Sequence, residues 1–334
     1  RVLLRQWQQR LEQFLGISCG LLGGGKSSLT GSVDIAVINS LRQEQYDDLL
    51  DRYGVVIVDE CHHVAAVSYE QVLKRVSAKR VFGLTATPMR SDGHHDIIFM
   101  QCGPLIHRID SRSWREKEEL SVTVIARFTS FRCDYQRLGI QDVYEKLSQD
   151  EERNGVLAED IQRYVQEGRS ILVLANRLEQ LGTLQGLLAK RGLESLLMSG
   201  SQSAKEKRRV TAYLDELKAA NSPALILSTG KYIGEGFDFP ALDTLVLASP
   251  IAWKGSITQY VGRVSRQYEG KNAILVLDYV DFRIPVLTRM FAKRVKAFKK
   301  EGFVITQHGQ KPDDELVYTR ETYWALLERD LRES

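Results

Sequence analysis

Short apolar runs that recur along the chain, each followed by a stretch of helical periodicity, constrain the fold more than any other feature. The runs are rich in β-branched residues, which indicates strands buried on both faces. Strands that alternate with helices form parallel sheets covered by helices, so we predict an α/β fold. The runs are Val33–Ile38, Val55–Val58, Val81–Leu84, Val122–Ala126, Ile171–Leu174, Ala224–Leu227, Leu245–Ala248 and Ala273–Leu277.

The length and the charge distribution predict two domains and a C-terminal extension. The 334 residues are enough for two sizeable cores. A charged stretch, Arg108–Glu119, follows the third run, so we place a domain boundary near residue 118. The predicted limits are 1–118 for the first domain, 119–282 for the second and 283–334 for a helical extension.

The extension begins with a segment that carries positive charge only. Arg283–Lys300 contains seven basic and no acidic residues, with apolar residues at helical spacing. We predict a basic amphipathic helix. A solvated outer face on a packed helix and a contact to nucleic acid both fit this pattern.

The overall composition permits a nucleic-acid partner without requiring one. The formal charge is +3 and the isoelectric point is near 8.6, which is mildly basic. The four cysteines are widely spaced and form no C-x-x-C pair, which indicates neither a zinc site nor a disulfide framework. No apolar run approaches the length of a membrane span. We therefore expect a reducing, cytoplasmic environment and no membrane partner.

Residues 20–27, GLLGGGKS, match G-x-x-x-x-G-K-[ST], the pattern of an ATP phosphate-binding loop. Such a loop needs a strand before it and a helix directly after it. The β-rich run Val33–Ile38 follows too soon for a helix, and helical spacing upstream leaves little room for a strand. We predict a hairpin or loop with Lys26 exposed, while a small kinase that uses Lys26 stays as a rival interpretation.

The segment VVIVDECHH at residues 55–63 is the strongest local signal for chemistry. Two carboxylates follow a buried strand, and ligands of open α/β sheets bind at the carboxyl ends of strands. Asp59 is a candidate to hold Mg²⁺ through water, and Glu60 is a candidate to orient and deprotonate a water that attacks a γ-phosphate. This is the Walker B arrangement. An acidic strand-to-helix turn is the alternative.

The next strand also ends in polar residues. In VFGLTATPMR at residues 81–90, Thr85 and Thr87 lie where they could relay the state of a phosphate near Asp59. Adjacent histidines point in different directions and no third ligand stands at metal-site spacing, so we expect a coupling role for His62 rather than a metal site. Taken alone, the threonines fit an ordinary strand-to-loop junction.

Two arginines near the end of the second predicted domain are candidates for charge neutralisation. Arg263 and Arg266 lie three apart on a predicted helix, so both would project to the same side. There they could stabilise the charge of a transferring phosphate as arginine fingers. A solvated helix face is the alternative.

Taken in order, these segments resemble the motifs of superfamily 2 helicases of the DEAD/DEAH kind. D-E-C-H resembles motif II and T-A-T resembles motif III. INSL at 38–41 resembles motif Ib, and ILVLANRLEQL at 171–181 resembles motif IV. LSTGKYIGEGFDFPALDTLVL at 227–247 resembles motif V, and QYVGRVSRQ at 259–267 matches motif VI. G-F-D-F-P and the later D-Y-V-D are most similar to helicase modules of type III restriction subunits and related repair or defence helicases.

The resemblance implies two RecA-like domains in tandem, with ATP and Mg²⁺ as cofactors. One departure is Gly230, which stands where many relatives have Asp. The resemblance implies nucleotide contacts for Gly236, Asp238 and Gln259, and nucleic-acid contacts for Asn39, Ser40, Asn176, Arg177, Thr229 and Gly230.

The implied function is that of an ATP-dependent helicase or translocase, with DNA rather than RNA as the expected nucleic acid. Arg1–Leu15 resembles motif Ia and its helix, so we expect the true Walker A loop upstream and the chain truncated at its N-terminus. Such a fragment alone should hydrolyse ATP negligibly. An upstream or partner nuclease domain is compatible with the resemblance, and a non-catalytic nucleic-acid-binding or regulatory module is the alternative.

Overall fold

The computed structural model describes residues 2–62, 67–85, 95–200, 202–220, 222–233, 239–250 and 254–307. Its contacts divide the chain into two compact units, Arg1–Ile109 and Asp110–Ser334. Among the helices in these ranges, none combines the length and the apolar character that a bilayer span requires. The predicted α/β architecture is confirmed in both units.

The first unit contains two small sheets. Strand β1 pairs antiparallel with β2 and parallel with β3, and β4 pairs parallel with β5. The elements are α1 (Val2–Leu15), β1 (Gly20–Gly23), β2 (Lys26–Ser28), β3 (Asp34–Ala36), short 3₁₀ helices at Ser40–Arg42 and Glu44–Tyr46, α2 (Asp47–Leu50), β4 (Val55–Val58), α3 (Val67–Leu73), β5 (Arg80–Gly83) and α4 (His95–Cys102).

The predicted hairpin at GLLGGGKS is confirmed. β1 and β2 are its strands, Gly23 pairs with Lys26, and Gly24 and Gly25 form the turn with φ of +63° and +83°. Such φ values favour glycine, which explains the glycine run. Lys26 is exposed and lies in a strand that leads to β3 rather than in a loop at a helix start. The phosphate-loop interpretation is therefore wrong for these residues, and with it the kinase rival.

Among the residues described, the β4–β5 pair is packed on one face only. Val58 contributes to a small core with Cys61, Leu73 and Ile98. The opposite face is apolar and exposed, and Ile57 pairs there with Phe82. Parallel sheets are usually covered on both faces. This uncovered face carries Val55, Ile57, Phe82 and Leu84, with the exposed Arg80 paired to Val55.

The second unit is larger and more regular. Capping side chains mark several of its helices; at the start of α9, for example, Ser203 and Glu206 bond each other's backbone N–H groups. Its elements are α5 (Ser111–Lys117), β6 (Ser121–Phe128), a 3₁₀ helix at Tyr135–Arg137, α6 (Ile140–Gln149), α7 (Glu151–Gln166), β7 (Ile171–Ala175), α8 (Leu178–Lys190), β8 (Leu196–Met198), α9 (Ala204–Ala219), β9 (Leu225–Thr229), α10 (Gly230–Ile233), β10 (Thr244–Leu247), α11 (Lys254–Val264), β11 (Ala273–Val280), α12 (Pro285–Lys300) and β12 (Val304–Gln307).

Within the described part of this unit, seven strands form one sheet in the order β12-β6-β11-β10-β7-β9-β8. All of its strand pairs are parallel. Alternate residues of β7 enter two different cores: Leu172 and Leu174 belong to one, and Ile171 and Val173 to the other. The sheet is therefore buried on both faces, as its unbroken apolar runs predict.

The segment after residue 282 is integrated into this unit more closely than an appended extension would be. Helix α12 buries Phe291, Val295 and Phe298 against the sheet, and β12 pairs with β6. The predicted amphipathic helix is present, but Arg294 lies inside, where its guanidinium binds both carboxylate oxygens of Asp278 at 2.7 and 2.8 Å. The basic outer face is narrower than the sequence suggests.

Candidate active site

The acidic pair follows β4 directly, as predicted. Beyond β4, the backbone ladder continues: Leu84 N–H donates to Val58 O, and Cys61 N–H donates to Leu84 O. Between them, Glu60 has a φ of +49°, a left-handed conformation that non-glycine residues rarely adopt. Such strain is concentrated at functional sites. The chain thus turns sharply at the acidic pair, and Asp59 is left exposed at the strand end.

Asp59 has a partner that sequence reasoning missed. The indole Nε1–H of Trp7, on α1, donates to Asp59 Oδ2 at 2.9 Å, and the Glu60 N–H donates to Oδ1 at 2.9 Å. Helical spacing marks Trp7 only as an apolar position of a helix, and no local signal marks it as a partner of a residue so far along the chain. Both carboxylate oxygens keep lone pairs that could receive water or a cation.

His62 connects the acidic pair to the next strand. Its Nδ1 lies 3.0 Å from Thr85 Oγ1 and 3.2 Å from Glu60 Oε2. The imidazole is largely buried, with its side chain 17% exposed, whereas that of Glu60 is 38% exposed. These three predicted residues therefore come together. Thr87 lies outside the described residues.

Two neighbouring thiols pack beside this turn. A side chain at Gly83 would meet Cys61 Sγ at 2.8 Å and Cys102 Sγ at 3.2 Å, so the two sulfurs are neighbours. A hydrogen bond to Cys102, together with burial, raises the pKa of the Cys61 thiol well above its usual value. The same hydrogen bond lowers the pKa of Cys102. Cys61 is thus held as a buried, protonated thiol next to Glu60.

The predicted residues of motif Ib do not contact this turn in any hydrogen bond described for the first unit. Asn39 is exposed and immediately precedes the 3₁₀ helix Ser40–Arg42, without capping it through its side chain. The Ser40 N–H donates to Val37 O at 2.8 Å. Both residues lie just after β3, at the side of the glycine hairpin.

In the second unit, the candidate arginines lie at the end of α11. Gln259 and Arg263 are half-buried residues of this helix. The helix ends at Val264, so Arg266 lies beyond its last residue, and the prediction that both arginines lie on this helix is wrong. Their relative placement depends on the chain that follows the helix.

Motif V and motif VI meet at Gly230. This residue begins α10, directly after Thr229 at the end of β9. The Tyr260 ring of α11 fills the space beside it: a Cβ on Gly230 would lie 2.8 Å from Tyr260 Cζ and still closer to the hydroxyl oxygen. Gly236 and Asp238 lie outside the described residues. The departure from Asp at position 230 thus has a physical reason, because Tyr260 occupies the side-chain space.

The predicted motif IV residues take part in internal contacts. Asn176, which follows β7, donates from Nδ2 to Pro250 O at 3.2 Å. Arg177 donates to Gln141 O at 3.0 Å and lies 3.9 Å from Glu179. The amide of Asn176 therefore holds the ends of neighbouring strands together, whatever further contact it makes.

Two family models match the chain. Residues 1–90 match "Type III restriction enzyme, res subunit", and residues 156–268 match "Helicase conserved C-terminal domain". The acidic pair, with His62 and Thr85, lies in the first match. The arginines and Gly230 lie in the second.

Individual relatives of the chain are named as helicases and translocases, in agreement with the family models. A predicted ATP-dependent RNA helicase of Acanthamoeba polyphaga mimivirus is 24% identical over 82% of this chain and 52% of its own length. A DNA 3'-5' translocase of Sulfurisphaera tokodaii is 30% identical over 38% of this chain and 27% of its own length. The chain thus spans about half or less of these relatives.

Solved structures support the fold. A fragment of an HsdR subunit of a type I restriction enzyme from Vibrio vulnificus superimposes with a TM-score of 0.63. The two are 17% identical, and the match covers 90% of this chain and 56% of that one. Neighbours of this kind are tandem RecA-like helicase domains. The two family models and the motif residues they cover identify the chain as a member of the superfamily 2 helicases.

Proposed function

We propose that the chain is the core of an ATP-dependent DNA helicase or translocase. The observation that carries this proposal is the contact of His62 with both Glu60 and Thr85. It ties the carboxylate that would activate water to the end of the neighbouring strand. Movement of either strand end would therefore reach the other through one imidazole, as coupling of hydrolysis to motion requires.

The residues at the acidic pair fit Mg²⁺ and ATP. Mg²⁺ prefers oxygen ligands and commonly binds one or two carboxylates together with waters and phosphates. Asp59 is an exposed carboxylate at a strand end and could hold the ion through water. The ion, when bound, would neutralise phosphate charge. Glu60 would orient and deprotonate the attacking water, and Arg263 and Arg266 would stabilise charge on the transferring phosphate.

The remaining predicted contacts are assigned as follows. Gln259, Gly236 and Asp238 would lie near the nucleotide, and Thr87 would act with Thr85 and His62. Nucleic acid would run along Asn39, Ser40, Thr229 and Gly230. Asn176 and Arg177 would contribute less than the family pattern implies, because both already bond backbone carbonyls.

We further propose DNA as the substrate and restriction or repair as the setting, with a nuclease domain upstream or on a partner. Support comes from the relatives and the matching family, which include a DNA translocase and restriction subunits, although one relative is named as an RNA helicase. The four cysteines are free thiols, which suits a reducing cytoplasm.

We also propose that the complete protein contains a Walker A strand and loop, and that this chain without them hydrolyses ATP negligibly. Support comes from the apolar face of the β4–β5 pair, where Ile57 is 58% exposed and Val55 48% exposed. Further strands and helices would bury such a face. A cradle for the β- and γ-phosphates would come with them.

A non-catalytic nucleic-acid-binding module is the second candidate. The observation that favours it is the Trp7 indole, which occupies one oxygen of Asp59 where a metal-bound water would otherwise donate. If the protein is instead an active ATPase, binding of Mg²⁺ must break this hydrogen bond, or Asp59 Oδ2 must accept from both the indole and a metal-bound water.

Glu60→Gln in the full-length protein tests the proposal. Removing a general base lowers turnover by about a hundredfold or more, whereas the amide has a similar shape and should leave ATP binding intact. The measurements are steady-state ATP turnover with DNA present and equilibrium ATP binding. Glu70→Gln is the matched control, because Glu70 lies in the same unit and pairs only with Lys74 in the described contacts. A wild-type protein that binds DNA but hydrolyses no ATP would support the non-catalytic module.

A further inference from the structure

Lys271 lies outside every motif, yet its ammonium is surrounded by backbone oxygens. Lys271 Nζ donates to Pro240 O at 2.6 Å, to Leu242 O at 3.0 Å and to Val264 O at 3.1 Å. An ammonium has three protons to donate, and these contacts use all of them. The residue follows the turn after α11 and precedes β11.

The three acceptors belong to two different functional segments. Pro240 and Leu242 lie inside the segment that resembles motif V, between α10 and β10. Val264 is the last residue of α11, between Arg263 and Arg266. Carbonyls in the last turn of a helix have no partner within the helix, and a cation there is favoured by the helix dipole. The single ammonium thus joins the motif V segment to the end of α11, between Arg263 and Arg266.

Charges near this ammonium shift the pKa of Lys271 in opposite directions. Burial lowers the pKa of Lys271 from its ordinary 10.5 to about 8, Asp243 acts to raise it, and Arg266 acts to lower it. Arg169 lies 3.7 Å from Asp243 on the other side. A cavity of about 360 Å³ adjoins Lys271 and is also lined by Glu118, Arg266, Tyr268 and Glu269.

We propose that Lys271 is a positioning residue for the arginine pair: its ammonium fixes the end of α11 to Pro240 and Leu242 in the motif V segment, and so sets where Arg263 and Arg266 stand. This inference rests on the proposed function. Lys271 would act through these backbone carbonyls. Because Arg266 lies beyond the helix, its position depends on what holds the chain after Val264.

Loss of the Lys271 proton should loosen this arrangement. The neutral amine has two protons, so one of the three carbonyls would lose its donor. The folded protein would release the proton near pH 8, whereas the unfolded chain keeps it up to about 10.5. The unfolded state therefore binds more protons between these values, and Lys271 makes the free energy of unfolding rise with pH there. Turnover should fall over the same range.

The test compares Lys271→Met and Lys271→Arg with wild type in the full-length protein, with Lys190→Met as an exposed control on α8. Lys271→Met should lower kcat for ATP about a hundredfold while KM for ATP stays unchanged, the scale on which displacement of catalytic groups acts. Lys271→Arg should keep most of kcat. Wild-type kcat should decline above pH 8, whereas that of Lys271→Arg should stay level.

Unfolding midpoints over the same pH range separate positioning from a purely structural role. Relative to Lys271→Arg, the wild type should gain stability from pH 8 upward while it loses turnover. Identical pH profiles of kcat for wild type and Lys271→Arg would overturn the inference, as would wild-type kcat in Lys271→Met. If the Lys271→Met protein does not fold, the pH profiles of kcat for wild type and Lys271→Arg test the inference without it. Undiminished turnover in Glu60→Gln would instead count against the proposed function and not against Lys271 in particular.

Discussion

The hydroxyl of Tyr260 occupies the space that a side chain on Gly230 would take. The tyrosine belongs to α11 and the glycine begins α10, so the contact joins the segments that resemble motifs VI and V. Gly230 has no unusual φ, which means that only the tyrosine, and not the backbone, excludes a side chain there. The contact therefore ties the departure from Asp at position 230 to a residue distant in the sequence.

Gly230→Ala should destabilise the protein by about 1–3 kcal/mol, because an added carbon in a filled space forces its neighbours to shift. Tyr260→Ala should relieve the conflict, so the double variant should lose less than the sum of the single losses. Chemical denaturation of the four proteins gives the coupling directly. Gly182→Ala is the control, since nothing lies within 4 Å of a Cβ at that position on α8. Additive losses would contradict the contact.

Arg266→Ala in the full-length protein should lower ATP turnover by roughly a thousandfold or more, the scale on which loss of an arginine finger acts. Lys26→Ala should have almost no effect, because Lys26 is exposed on the β1–β2 hairpin. Single-turnover hydrolysis with DNA present measures both. Loss of turnover in Lys26→Ala together with normal turnover in Arg266→Ala would reverse the assignment of the phosphate-binding groups.

The chain should bind single-stranded DNA weakly, with an affinity that falls as salt increases, because phosphate contacts release counterions. The outer face of α12 exposes a line of basic residues, Arg289, Lys293, Lys296 and Lys300. If phosphates contact this line, Lys293→Gln should weaken binding and reduce the slope of log affinity against log salt by about one.

Fluorescence anisotropy at several salt concentrations measures that slope. Lys190→Gln, at the exposed end of α8, removes the same charge from another face. Equal effects of the two substitutions would mean that α12 presents only a solvated surface. Affinity that does not change with salt would exclude phosphate contacts as the main source of binding.

Much of the architecture could be predicted from local patterns. The apolar runs identified β7, β9, β10 and β11, because strands buried on both faces need unbroken apolar sequence. The hairpin at GLLGGGKS followed from flanks that supply no helix. Strands β8 and β12 were missed because they are short, and Val304–Gln307 becomes a strand only by pairing with β6.

The sequence by itself determined the order of elements, the acidic pair at the end of β4 and the presence of the arginines, because these depend on neighbouring residues and on periodicity. Only the tertiary structure decided that Trp7 bonds Asp59, that Arg294 is buried against Asp278, and that Lys271 joins the segments that resemble motifs V and VI. Each of these contacts depends on how whole helices and strands pack. Local periodicity specifies which face of an element is buried, but it does not specify which distant side chain will meet that face.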